Sequence, residues 1–183
     1  MTTRAAADGR NVVLTGFMAT GKSTVGRLVA ARLRYAFVDT DRVIEERYGP
    51  IRDIFADGGE ERFRAIEREI AVELGALQAL VISTGGGLMT DPVAADALSS
   101  TGHVVALTAS AEVIYRRVGG PRAGERRPLL AGGDPLAIIT ALLDERAPVY
   151  AAYPQVDTDD RHPAVIADEV VAIVIGDAHP QPR

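Results

Sequence analysis

The chain has 183 residues, 47% of them hydrophobic and 25% charged, with a formal net charge of −5. That length suits one domain with its own core, and the acidic balance argues against a nucleic-acid partner, which would need a basic face. Cysteine is absent, which excludes disulfides, a thiolate nucleophile and a Cys-based zinc site and fits the cytoplasm; no apolar run approaches the ~20 residues that span a bilayer.

In chain order, residues 1–10 (MTTRAAADGR) have no apolar stretch and read as a short disordered leader. Asn11 to Thr15 is the first strand candidate, and Lys22 to Arg34 a helix with Val25, Leu28, Val29 and Leu33 on one face. A second strand, Ala36 to Asp39, follows. The longest helix is expected over Glu60 to Leu80, where Phe63, Ile66, Ile70, Leu74 and Leu77 step by three or four. Leu80 to Thr84 is a third strand, Pro92 to Leu98 a helix, His103 to Thr108 a fourth strand, and Ala111 to Val118 and Asp134 to Tyr150 helices. Gln155 to Asp157 and Pro163 to Ile175 give the last strand and helix, and the polar tail from Gly176 is expected to fray. Short apolar strands alternating with helices predict an α/β fold with a five-stranded parallel sheet between two helical layers, as one domain over 1–183 with its core at about 11–176.

One segment, about 118–133, fits neither period. Gly119 to Gly133 (GGPRAGERRPLLAGG) holds five glycines, two prolines and three arginines. A structureless stretch of this length is either a floppy insertion or a lid, and arginines on a hinged loop suit a polyphosphate ligand.

The chemistry concentrates where strands end, as expected for ligands of a parallel sheet. Gly16-Phe17-Met18-Ala19-Thr20-Gly21-Lys22-Ser23 fits the phosphate-binding loop pattern G-x-x-x-x-G-K-[ST]. Lys22 is the only lysine against nineteen arginines, and a compact ammonium reaches phosphate oxygens in a backbone nest that a planar guanidinium does not enter. The helix that follows adds its N-terminal amides, and Ser23 offers a hydroxyl to Mg²⁺. After the second strand, Asp39-Thr40-Asp41 places two carboxylates two residues apart, on one side of a strand. Both can face the cleft, or one can cap a helix that begins there. Thr84-Gly85-Gly86-Gly87 leaves the third strand's end open to close backbone approach. Arg64 and Arg146 sit near helix ends, where composition alone does not separate them from ordinary solvated arginines.

Together, GFMATGKSTVGR, FVDTD, IFADGGEERFRAIERE, STGGG, RRPLL and DERAPVY, in this order over about Asn11 to Ile175, resemble the shikimate kinase family. The resemblance implies a phosphate-loop kinase with a mobile lid, a monomer that uses ATP and Mg²⁺ to phosphorylate the 3-hydroxyl of shikimate. It implies that Gly16, Ala19, Thr20, Gly21, Lys22, Ser23 and Thr24 hold the nucleotide phosphates, that Ser23 and Asp39 serve Mg²⁺, and that Arg117 and Pro163 sandwich adenine. Asp41 would bind ring hydroxyls, as a base or by positioning. Arg64 and Arg146 would grip the carboxylate, Gly85, Gly86 and Gly87 would line the substrate site, and Phe55, Phe63 and Glu67 would belong to the same side. Arg127 would close over the transferring phosphoryl group. The lid is a few residues longer than the family's, Met18 stands at a variable loop position, and the adjacent pairs Arg116/Arg117 and Arg126/Arg127 leave those two assignments open by one.

Two alternatives remain. A gluconate kinase or a nucleotide kinase would share the architecture, but the chain has no marker of a base-reading pocket and a gluconate kinase does not predict FVDTD and STGGG with the two arginines. A non-catalytic nucleotide-dependent regulator would have no need of Lys22, Ser23, Asp39 and Asp41 together.

Overall fold

A computed structural model describes residues 8–126 and 128–178. Five parallel strands form one sheet: β1 (Asn11–Thr15), β2 (Ala36–Asp39), β3 (Leu80–Ser83), β4 (Gly102–Thr108) and β5 (Gln155–Asp157), in the order β2-β3-β1-β4-β5. The helices are α1 (Lys22–Leu33), α2 (Thr40–Tyr48), α3 (Ile51–Gly75), α4 (Pro92–Ser99), α5 (Ala111–Val118), α6 (Ala123–Arg126), α7 (Pro135–Ala151) and α8 (Pro163–Ala178).

Strand alternation sorts the central side chains into two cores. Val13, Ile82 and Val104 face α3 and α4, packing with Ile66, Ile70 and Leu98. Val12, Leu14, Val81, Val105 and Leu107 face the other way, onto Val25 and Val29 of α1 and Ile166 and Val170 of α8. This is the expected three-layer arrangement. The chain leaves β1 toward β2 and returns through β3 to β4 on the opposite side, so β1 is the switch strand and its carboxyl end opens a crevice. No described helix is long and apolar enough to cross a membrane.

The long helix starts at Ile51, passes through a non-helical Gly59 (φ 67°, ψ −166°) and stops at Gly75 rather than at Leu80. Asn11 sets this end: its Nδ2 donates to the carbonyls of Leu74 (3.2 Å) and Leu77 (2.8 Å), and its Oδ1 accepts from Leu80 N–H (3.0 Å). Leu77, read as part of the buried stripe, is 48% exposed. The chain after β2 turns at once into α2, a helix the sequence offered only as an alternative.

The segment 118–133 is not structureless. Short helical turns cover Gly120–Arg122, Ala123–Arg126 and Pro128–Leu130, and buried Ala123 and Leu130 join Phe17, Ile114 and Ile139 in a third apolar cluster. The leader is ordered from Asp8, which bonds Arg10 and buried His103, while Gly9 N–H donates to the Tyr35 hydroxyl. At the other end α8 continues through Ala178. Residues 1–7, Arg127 and residues 179–183, and with them the rest of the expected leader and tail, lie outside the described residues.

Candidate active site

The phosphate loop grows out of β1. Gly16 has φ +133°, and a Cβ there would lie 2.2 Å from the Leu107 carbonyl oxygen, so only glycine lets the loop pass β4. Gly21 caps α1 in a left-handed conformation (φ 93°) without a side-chain cap bond, which leaves the first helical amides for a ligand. Ala19 is also left-handed, at φ 60°. The Lys22 ammonium is buried and donates to the carbonyls of Gly16 and Phe17, each at 2.8 Å. The Thr20 hydroxyl donates to the same Phe17 carbonyl at 2.9 Å.

Beside the loop, Ser23 Oγ donates to Asp39 Oδ2 at 2.6 Å and lies 3.3 Å from Ser83 Oγ. Asp39 Oδ1 accepts from Arg42 N–H at 3.5 Å, capping α2. Asp39 therefore combines the capping and site-facing roles that the sequence set as alternatives. Asp41 lies in the first turn of α2, not on the strand, so strand alternation is not what brings it near. A Cβ on Gly85 would be 2.6 Å from Asp41 Oδ1 and 3.0 Å from Glu67 Oε1, so both carboxyls press on this glycine. Thr40, just before Asp41, accepts the Gly85 N–H on its hydroxyl at 2.9 Å.

The two arginines that sequence alone did not single out meet the same glycine run. Arg64 Nη1 would stand 2.8 Å from a Cβ on Gly87, and Arg146 Nη1 donates to the Gly86 carbonyl at 3.1 Å. Arg64 Nη1 donates to Glu67 Oε2 at 2.5 Å, while its Nε and Nη2 donate to Glu60 at 3.3 and 3.1 Å. Glu67 is 3% exposed. Burial pushes its carboxyl pKa up against the pull of the Arg64 guanidinium, and Asp41 and Asp91 push the same way. Phe63 is buried and Phe55 half-exposed, their ring centroids 4.8 Å apart. Arg146 also lies over the ring of Phe17, 5.4 Å from its centroid.

On the opposite side of the loop a cavity of about 170 Å³ is lined by Ala19, Thr20, Gly21, Thr24, Arg117, Thr158, Arg161, Pro163 and Ile166. Arg117 Nη1 donates to Ala19 O (3.2 Å) and Thr158 Oγ1 (3.0 Å), and its Nη2 to Thr158 O (2.6 Å). Arg116 points elsewhere and pairs with Asp160 at 2.8 Å on the surface. Of this adjacent pair, Arg117 faces the cavity. Arg127 lies outside the described residues, so the choice between it and Arg126 stays with the sequence.

The family model for shikimate kinase matches residues 18–174. The chain belongs to the shikimate kinase family. The shikimate kinase of Geobacter sulfurreducens is 45% identical over 169 residues, 91% of this chain and 92% of the relative. A solved shikimate kinase from Acinetobacter baumannii, in complex with shikimate, superposes with a TM-score of 0.86 at 32% identity, covering 93% of this chain and 96% of that one. A gluconokinase from Sinorhizobium meliloti, at 18% identity and TM-score 0.58 over 93% of this chain and 94% of its own, shares the fold alone.

Within this shikimate kinase framework the sequence reading passed over Thr40, Ser83, Thr158, Arg161 and Tyr150. The first four follow the rule that exposed the others, lying at or just beyond the carboxyl ends of β2, β3 and β5. Tyr150 stands four residues after Arg146 on α7, hence on the same helix face; its hydroxyl donates to the Gly86 carbonyl at 2.9 Å.

Proposed function

We propose that the chain transfers the γ-phosphoryl group of ATP to the 3-hydroxyl of shikimate, giving shikimate 3-phosphate and ADP. Family membership supports the activity. The observation that carries the site is Gly86, where a Cβ would lie 3.6 Å from both Met18 N and Arg146 Nη1 and 3.9 Å from the Gly16 carbonyl oxygen. The glycine run is thus the seam between a phosphate loop on one side and a guanidinium on the other.

In this reading the nucleotide lies along α1's N-terminus with its base in the cavity between Arg117 and Pro163. Lys22, displaced from the Gly16 and Phe17 carbonyls, follows the β- and γ-phosphates. Ser23 Oγ and Asp39 Oδ2 are hard oxygen donors 2.6 Å apart and fit Mg²⁺, which binds through one or two protein oxygens, phosphates and water. When bound, that ion neutralises charge on the phosphate oxygens.

Arg64 and Arg146 hold the carboxylate of the acceptor, a task suited to planar two-pronged donors. Asp41, at Gly85, accepts the hydrogen bond of the attacking hydroxyl. The hydroxyl oxygen forms the new P–O bond as the bond to the ADP leaving oxygen breaks, and the hydroxyl proton passes to Asp41. Alignment and charge neutralisation supply most of the acceleration. The lid, whose Leu130 shares a buried cluster with Phe17, keeps water from the γ-phosphoryl group; the role of Arg127 there rests on sequence alone. The enzyme works as a single kinase domain, a monomer in the cytoplasm. The gluconate-kinase alternative has only shared architecture in its favour.

Crossed variants test the division of the site. Arg117→Ala should weaken ADP binding about tenfold or more and leave shikimate binding near wild type, while Arg146→Lys should do the reverse. Calorimetric titration of each ligand reads both. Equal loss of both ligands in either variant contradicts the assignment.

A further inference from the structure

The Gly86 carbonyl accepts two hydrogen bonds from α7, from Arg146 Nη1 at 3.1 Å and from the Tyr150 hydroxyl at 2.9 Å. A carbonyl oxygen has two lone pairs, so these donors saturate it. Tyr150 is 5% exposed, and its ring is fixed among Phe17, Ile114, Leu130 and Ile139. Burial raises its phenol pKa, which keeps the hydroxyl a donor.

We propose that Tyr150 is a positioning residue for the acceptor site: its hydroxyl fixes the Gly86–Gly87 peptide plane, which aims both the Arg146 guanidinium and the Gly87 N–H at the substrate. The inference rests on the substrate reading above. A trans peptide directs its C=O and N–H in opposite directions, so a carbonyl turned to α7 sends the Gly87 N–H away from it, on the backbone that Arg64 approaches. Two adjacent glycines place little steric restraint on the plane between them, so it needs an outside anchor. Arg146 alone is a poor one, because its donors are wanted by the carboxylate. Tyr150 holds the carbonyl whether or not Arg146 has turned to the substrate.

Tyr150→Phe keeps the ring in its apolar surroundings and removes only the hydroxyl. In full-length enzyme the shikimate KM should rise about three- to tenfold, the effect of one net hydrogen bond, with the ATP KM and ADP affinity unchanged. A residue that only packs would lower the melting temperature and leave the two KM values in their wild-type ratio. Arg146→Lys, measured alone and combined with Tyr150→Phe, separates the possible failures. A higher shikimate KM in Arg146→Lys with none in Tyr150→Phe overturns the positioning role alone. No change in either variant overturns the carboxylate reading and the inference with it. A combined effect that departs from the sum of the single effects supports a shared anchor at Gly86.

Discussion

Ser23 Oγ donates to Asp39 Oδ2 at 2.6 Å, tying the first turn of the phosphate-loop helix to the end of a strand two places away in the sheet. Because the other Asp39 oxygen caps α2, one carboxylate links the phosphate-loop helix to the helix that carries Asp41. Asp39→Asn should raise the Mg²⁺ concentration for half-maximal activity about tenfold or more, since a charged hydrogen-bonding partner is lost. Calorimetry should show weaker MgADP binding and unchanged binding of metal-free ADP. Equal weakening of both would remove Asp39 from the metal's shell.

Glu67 is an almost fully buried carboxyl whose folded-state pKa lies above its ordinary 4.5 because burial outweighs the pull of Arg64. Its protonated form is therefore favoured by folding. The stability it contributes is complete below pH 4.5 and is lost as pH rises through the elevated folded value. Substitution Glu67→Gln should flatten that dependence, so the melting temperature of wild type minus that of the variant should shrink from acid toward neutral pH. In wild type, protonation also loosens the hold on Arg64, and the shikimate KM should climb as pH falls through the same window. A parallel pair of melting curves would contradict the raised pKa.

Asp91 stabilises the turn behind the glycine run. It caps α4 by accepting from Val93 and Ala94 N–H at 2.9 and 3.0 Å and pairs with Arg68 of α3 at 2.6 Å. The hydrogen bond from Arg68 leads in holding its pKa at about 2. A depressed pKa gives stability that is present above the ordinary 3.8 and lost as pH falls through about 2. Asp91→Ala should cost about 1–2 kcal/mol at neutral pH, typical of a lost N-cap. Denaturant unfolding reads this directly, and no loss at neutral pH would mean that the cap is redundant.

Much of this arrangement is legible in the chain. The central strands β1, β3 and β4 announce themselves because both faces are covered and their residues are almost all apolar, and the phosphate loop because its glycines and single lysine have few substitutes. What the sequence hides is set by long-range contacts. The end of α3 depends on Asn11, more than sixty residues earlier, so no local signal stops the periodic run before Leu77. The short helical turns of 118–133 form because Ala123 and Leu130 find a buried cluster, which glycine and proline content does not forecast. Asp39 and Asp41 invite a strand reading because the residue that ends β2 is also the cap of α2. Arg64 and Arg146 look like surface arginines until the glycine run brings them together; resemblance to a family, not their own context, singled them out.

The most direct test is ADP release from MgATP by the purified protein with shikimate, gluconate or a nucleoside monophosphate offered separately. Turnover should be fast with shikimate alone and fall to the background ATPase rate with the other two. Turnover with gluconate or a nucleotide at a rate matching or exceeding that with shikimate would contradict shikimate as the acceptor that this phosphate loop serves.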